Sequence, residues 1–149
     1  MAAEDELAKV QAHHEAEEAK ARATRAERAS LAARLTASFA SRRLRVTVDD
    51  VEFETRYPGK DARAALFDTL ARVRSMHRAL AAGEPAEDDA ALQAEVCRTA
   101  AALMVDESVS EDYFAGSEYG VEAALSILFA VEGALTNSAA GAASFRDDA

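Results

Sequence analysis

The chain has 149 residues and a formal charge of −10, and half of it is nominally hydrophobic. Thirty-eight of those 74 hydrophobic positions are Ala, which favours helix but buries little surface; Leu, Ile, Val and Phe make up only 29 residues. That excludes a large, richly cored domain and predicts one small domain of about 90–100 residues with less ordered ends. No apolar run approaches the ~18–20 residues needed to cross a bilayer. The acidic start MAAEDELAKV is unlike a secretory signal, so a soluble cytoplasmic protein is expected. The single cysteine, Cys97, excludes an internal disulfide framework and a thiolate cluster.

Charge is unevenly placed. Residues 4–19 hold six acids against Lys9, residues 20–45 hold eight bases against Glu27, and residues 79–149 hold fourteen acids against Arg98 and Arg146. A chain so polarised can pair its own ends, pair with a copy of itself as a homo-oligomer, or offer two faces to partners.

The first predicted element is a long helix from about Glu4 to Phe39, rich in Ala and free of Gly and Pro. Leu7 and Val10 form one apolar pair, and Leu31, Leu35 and Phe39 form another group. A heptad reading places His14, Glu17, Thr24 and Arg28 on the seam between them, which defeats a stable coiled coil by itself. LRVTVDDVEFETRYPG follows, at 44–59. Its period-2 runs on either side of Asp49-Asp50 predict an antiparallel hairpin. The turn lacks the usual glycine, which leaves a longer loop or a bulge open beside a tight turn.

A second helix is predicted from about Asp61 to Ala82, with Leu66, Leu70, Val73 and Leu80 in a stripe flanked by Phe67 and Met76, stopped by Gly83 and Pro85. A third starts near Asp88 or Asp89 and turns Leu92, Val96, Leu103 and Met104 to one side. Residues 106–120 read as a loop with a short helical turn capped by serine. A last helix, about Glu118 to Thr136, is expected to bury Val121, Leu125, Leu128, Phe129 and Leu135. The fold class is therefore mainly α (α+β): a long N-terminal helix, one antiparallel β-hairpin and three packed C-terminal helices. The expected division is a charged helical arm at 1–43, a small domain at 44–136 and a flexible tail at 137–149.

Catalytic patterns are not found. His14 and Glu18 share a helix face, but a third ligand is missing, so a solvated surface is the better reading of His13-His14. Cys97 reads as a buried or boundary structural thiol. The acids at 106–112 lack EF-hand ligand order and read as solvated caps. No phosphate loop or nucleophile elbow occurs, so no cofactor, metal or enzymatic activity is implied. Arg42, Arg43 and Arg45 are a basic cluster without free stacking aromatics, which points to an acidic protein surface rather than nucleic acid. Tyr113, Phe114 and Tyr119 are candidates for transient apolar contacts, with a competing reading of Phe114 as a lid on the core.

The hairpin ending in VEFETRYPG, the amphipathic ARAALFDTLARV, the stretch LMVDESVSEDYF and the final VEAALSILFAVEGAL together resemble the tail assembly chaperones of long-tailed (siphovirus-like) bacterial and archaeal viruses, over about 90 of 149 residues. The N-terminal helix has no counterpart in that pattern. The resemblance implies non-catalytic work in the host cytoplasm, coating a tape-measure protein and helping to recruit tail tube subunits. Two other readings stand beside it. One is a structural component of a virion or other multi-subunit complex; the other is a small regulatory adaptor that contacts nucleic acid through residues 20–45.

Overall fold

The computed structural model describes residues 2–85, 88–136 and 145–147. In chain order the elements are α1 (Ala2–Ala40), β1 (Arg42–Val48), β2 (Val51–Arg56), α2 (Lys60–Ala81), α3 (Asp89–Leu103), α4 (Glu111–Gly116), α5 (Gly120–Thr136) and β3 (Arg146–Asp147). The chain divides into two compact units, Met1–Phe39 and Ala40–Ala149.

The first unit is α1 alone. Strong helix formers fill it, and its 39 residues far exceed the ~12–15 below which an isolated helix is marginal. Glu4 and Asp5 in its first turn complement the helix dipole. His14 Nε2 lies 3.1 Å from Glu18 Oε1, one turn on, with both side chains solvated. Residues 3–38 are all exposed, and Leu7, Val10, Leu31 and Leu35 each keep half or more of their surface in solvent.

The second unit begins with the hairpin. β1 and β2 pair antiparallel from Arg43↔Arg56 to Val48↔Val51. Alternation buries Leu44, Val46, Phe53 and Thr55, while Val51 at the tip is half exposed. The loop is neither long nor bulged. It is a two-residue turn in which Asp49 (φ 47°) and Asp50 (φ 68°) both take the left-handed conformation, as a type I′ hairpin loop requires. Asp tolerates that region better than most residues but less well than glycine. Asp50→Gly is expected to stabilise the protein by about 0.5–1 kcal/mol, read as a higher urea midpoint with an unchanged m-value.

Both sides of the hairpin acquire further partners. Beyond β2, Thr55 bridges to Met104, Val105 N donates to Glu54 O (3.1 Å) and Arg56 Nη2 donates to Met104 O (2.8 Å). Beyond β1, the two residues of β3 pair with Arg42 and Arg43, giving the strand order β2-β1-β3. The expected tail thus includes a short strand, whose place is fixed by the ring of Phe145 standing edge-on to Tyr57 at 5.0 Å. Residues 137–144 and 148–149, also assigned to the tail, lie outside the described residues.

α2 ends as its sequence predicts. Gly83 has φ 69°, Glu84 N donates to Ala79 O (2.8 Å) and Gly83 N to Leu80 O (3.2 Å), a Schellman closure. The buried stripe is shorter than expected: Leu66, Thr69, Leu70 and Val73 are inside, whereas Leu80 is exposed because it lies beyond the end of the core. α3 starts on Asp88, whose carboxylate accepts from Ala90 N (3.0 Å). It buries Leu92, Val96, Cys97, Ala100 and Leu103. The Thr69 and Thr99 hydroxyls, 3.2 Å apart, join α2 to α3 inside the core, and Thr99 also donates to Glu95 O (2.7 Å). Each buried hydroxyl thus has the partner its burial demands.

α5 corrects the sequence expectation most. Its buried face is Gly120, Ala124, Ile127, Leu128, Val131 and Ala134; Val121, Leu125 and Leu135 are only partly covered and Phe129 is exposed. The helix is rotated so that Ala124, Ile127, Leu128 and Val131, rather than Leu125 and Phe129, face the core. Phe129 remains outside under the Arg74 guanidinium, 5.4 Å from its ring centre, and Arg74 pairs with Glu132 through both carboxylate oxygens, one at 3.0 Å. That pair ties α2 to α5, and its hydrogen bonding raises the Arg74 pKa further.

Candidate functional site

The candidate site is a groove of about 350 Å³ between the hairpin tip and the start of α5. One wall is Val48, Val51 and Phe53 of the hairpin; the other carries Tyr113, Tyr119 and Ala123. Asp49, Glu118 and Glu122 also line it, and no Lys, Arg or His does among the described residues.

Local sequence explains each wall. The tight Asp49-Asp50 turn carries Val48 and Val51 past the edge of the core. Ser110 caps α4 by accepting from Tyr113 N (3.3 Å), and Ser117 Oγ donates back to Tyr113 O (2.7 Å), which fixes the short helix on which Tyr113 sits. Tyr119 lies in the tight connection to α5, whose first residue, Gly120, donates from N to Ser117 O (3.1 Å). Tyr119 is 72% exposed and Tyr113 42%. The Tyr113 ring stands edge-on to Phe53 (6.4 Å) and to Phe114 (5.4 Å), so it is held rigidly despite its exposure.

Of the aromatic residues singled out from sequence, Tyr113 and Tyr119 come together in this groove. Phe114 does not: it is fully buried, the largest such side chain among the described residues, packed 6.2 Å from Phe53. The lid reading of Phe114 is the one the structure adopts. Sequence reasoning missed the hairpin wall, because Val48 and Val51 looked like two more core positions in an alternating strand; their place beside the turn was the available signal.

Arg42, Arg43 and Arg45 do not all share one face of β1; Arg43 and Arg45 do. Strand alternation separates Arg42 from the other two. Arg42 lies 5.9 Å over the Tyr57 ring, Arg43 Nη1 donates to the carbonyls of Ala40 (2.6 Å) and Arg42 (2.9 Å), and Arg45 Nε is 3.5 Å from Glu52 Oε1 on the facing strand.

Cys97 is buried on α3, and burial pushes its thiol pKa up, with the Glu111 charge adding to the effect; both oppose a thiolate. In the acidic segment, Asp106 accepts from Ser108 Oγ (2.7 Å) and Ser108 N (2.9 Å), which lowers its pKa below the ordinary aspartate value. Glu111 lies 3.9 Å from Arg98 Nε. These acids act locally, on turns and ion pairs. Among the described residues no group of three or more His, Cys, Asp or Glu is arranged to hold a metal ion, and no helix is long and apolar enough to cross a membrane.

The groove can therefore accept an apolar group between two tyrosines and a pair of valines, flanked by carboxylates that favour cations beside it. No protein-family model, curated protein or solved structure matches the chain.

Proposed function

We propose that this protein is a non-catalytic protein-binding factor that works in assembly, holding an apolar, cation-flanked segment of a client in the groove between the hairpin tip and α5. The observation that carries this reading is the pairing of two exposed tyrosines, Tyr113 held by its ring contacts, with a rim whose charged residues are all acidic among the described residues. Tyrosines of this kind contribute large contact area at low entropic cost. The resemblance of residues 44–136 to tail assembly chaperones makes a tape-measure or tail tube protein the kind of client intended, and a net charge of −10 helps to keep such a client soluble.

The test uses a fluorescent amphipathic peptide of Leu and Arg, with a Leu and Glu peptide as control, titrated by anisotropy. Binding of the first alone is expected. Tyr119→Ala should weaken it by at least about tenfold, as for an aromatic hot spot, with circular dichroism unchanged. Equal binding of both peptides, or no effect of Tyr119→Ala, would refute the groove assignment. A structural role in a virion or complex is the second reading, favoured by the exposure of α1 over residues 3–38; a fixed, non-exchanging stoichiometry with the client would select it. Retention on heparin at ~0.2 M salt would instead select the nucleic-acid adaptor.

A further inference from the structure

We infer that α1 is a self-recognition element: two copies of the protein pair through it, antiparallel, in one register. The inference is independent of the groove. It starts from a helix of 39 residues whose positions 3–38 are all exposed, yet which carries two apolar pairs near its ends and opposite charge in its two halves.

The heptad seam through Leu7 and Val10 continues through His14, Glu17, Ala21, Thr24, Arg28, Leu31 and Leu35. In a single helix its middle is an unfavourable mixture of charge and small polar groups. Against an inverted copy the charged residues of the seam, Glu17 and Arg28, become complementary. Placing Ala21 opposite the partner's Thr24 sets Val10 on the partner's Leu35 and His14 on the partner's Leu31. Glu17 then meets the partner's Arg28 across the seam. On the two flanks Glu18 faces the partner's Arg25 and Lys20 faces the partner's Glu27. Two-fold symmetry makes every one of these contacts twice.

The alternatives are opposed by the same side chains. A parallel, in-register pair sets Glu17 against the partner's Glu17, Arg28 against the partner's Arg28, and Lys20 against the partner's Arg25. Slipping the antiparallel pair by one heptad places Glu18 on the partner's Glu18 and Lys20 on the partner's Lys20. Charges on and beside the seam thus select orientation and register, the best-attested use of polar residues in such helices, at a cost in strength. The apolar contacts are few, so the pairing is weak and sensitive to salt.

Analytical ultracentrifugation of the full chain tests this. The wild type should show a monomer–dimer equilibrium at ~0.05 M salt that shifts towards monomer by ~0.5 M. Glu17→Arg or Arg28→Glu alone turns both seam pairs repulsive and should weaken the dimer by about tenfold or more. The double variant E17R/R28E should restore it, which a parallel pair cannot do. Circular dichroism on each variant separates lost pairing from lost helix. Gln11 gives a second reading: a spin label on Gln11→Cys should lie about 35 Å from its copy in the antiparallel register, nearly all of it along the helix axis, against ~10 Å in a parallel one. Cys97 is buried and does not compete for the label. A strictly monomeric protein, association that salt leaves unchanged, a double variant as weak as the single ones, or the short label distance would each overturn the inference.

Discussion

Gly120→Ala is expected to be the most damaging single-methyl change in this protein, costing about 3 kcal/mol or more and lowering the thermal midpoint accordingly. A Cβ built on Gly120 would sit 1.7 Å from Phe114 O, 2.6 Å from its carbonyl carbon and 2.9 Å from its Cα. All three are backbone atoms, so no rotamer change relieves the clash; the start of α5 or the end of α4 has to move. The displaced backbone carries Phe114, so the core opens with it. Ordinary overpacking costs about 1–3 kcal/mol because flexible side chains yield, and here none is available to yield. Gly133→Ala is the internal control. Nothing lies within 4 Å of its Cβ position in the same helix, so the usual helical preference for Ala should stabilise by about 0.5–1 kcal/mol. Equal midpoints for the two variants in thermal melts would contradict the close approach of α4 and α5.

Phe114→Ala is expected to cost about 3–5 kcal/mol, the range for emptying a fully buried aromatic site. That is a large share of the ~5–15 kcal/mol available to a domain of this size. The loss should also reach the groove, because the Phe114 ring supports Tyr113 edge-on and packs on Phe53. Tyr119→Ala, at a residue mostly in solvent, should leave stability within about 0.5 kcal/mol. Urea denaturation followed by circular dichroism separates the two, and similar midpoints would mean that Phe114 is not the centre of the core.

The elements themselves were legible because their causes are local. Ala and alternating charge without glycine dictate α1, β-branched alternation dictates the hairpin, and Gly83 dictates the end of α2. Orientation was harder. On α5 a stripe of large residues through Val121, Leu125 and Phe129 competed with a stripe through Ala124, Ile127, Val131 and Ala134, and the second is buried. Alanine serves both as a helix former and as a close-packing residue, so its count in the composition hides which alanines face inward. The site was half legible. Exposed tyrosines in a capped loop suggested contact residues, but Tyr113 and Phe114 are adjacent, and only the packing of α4 decides which points in. The basic run at Arg42, Arg43 and Arg45 is split because a strand sends neighbours to opposite faces, leaving Arg43 and Arg45 on one side and Arg42 on the other. The opposing wall of the groove comes from residues some 60 positions earlier, a proximity that no local pattern encodes.

The contacts on the flanks of the small sheet bear on how this protein can meet other chains. An exposed strand is a template for β-augmentation, by which a partner adds its own backbone to the ladder. Here the flank of β2 already receives the Met104–Val105 segment, and β3 takes the first two residues of β1. The remainder of β1 presents the charged Arg45, which discourages edge-to-edge stacking. Covering these flanks limits edge-to-edge strand joining with other chains.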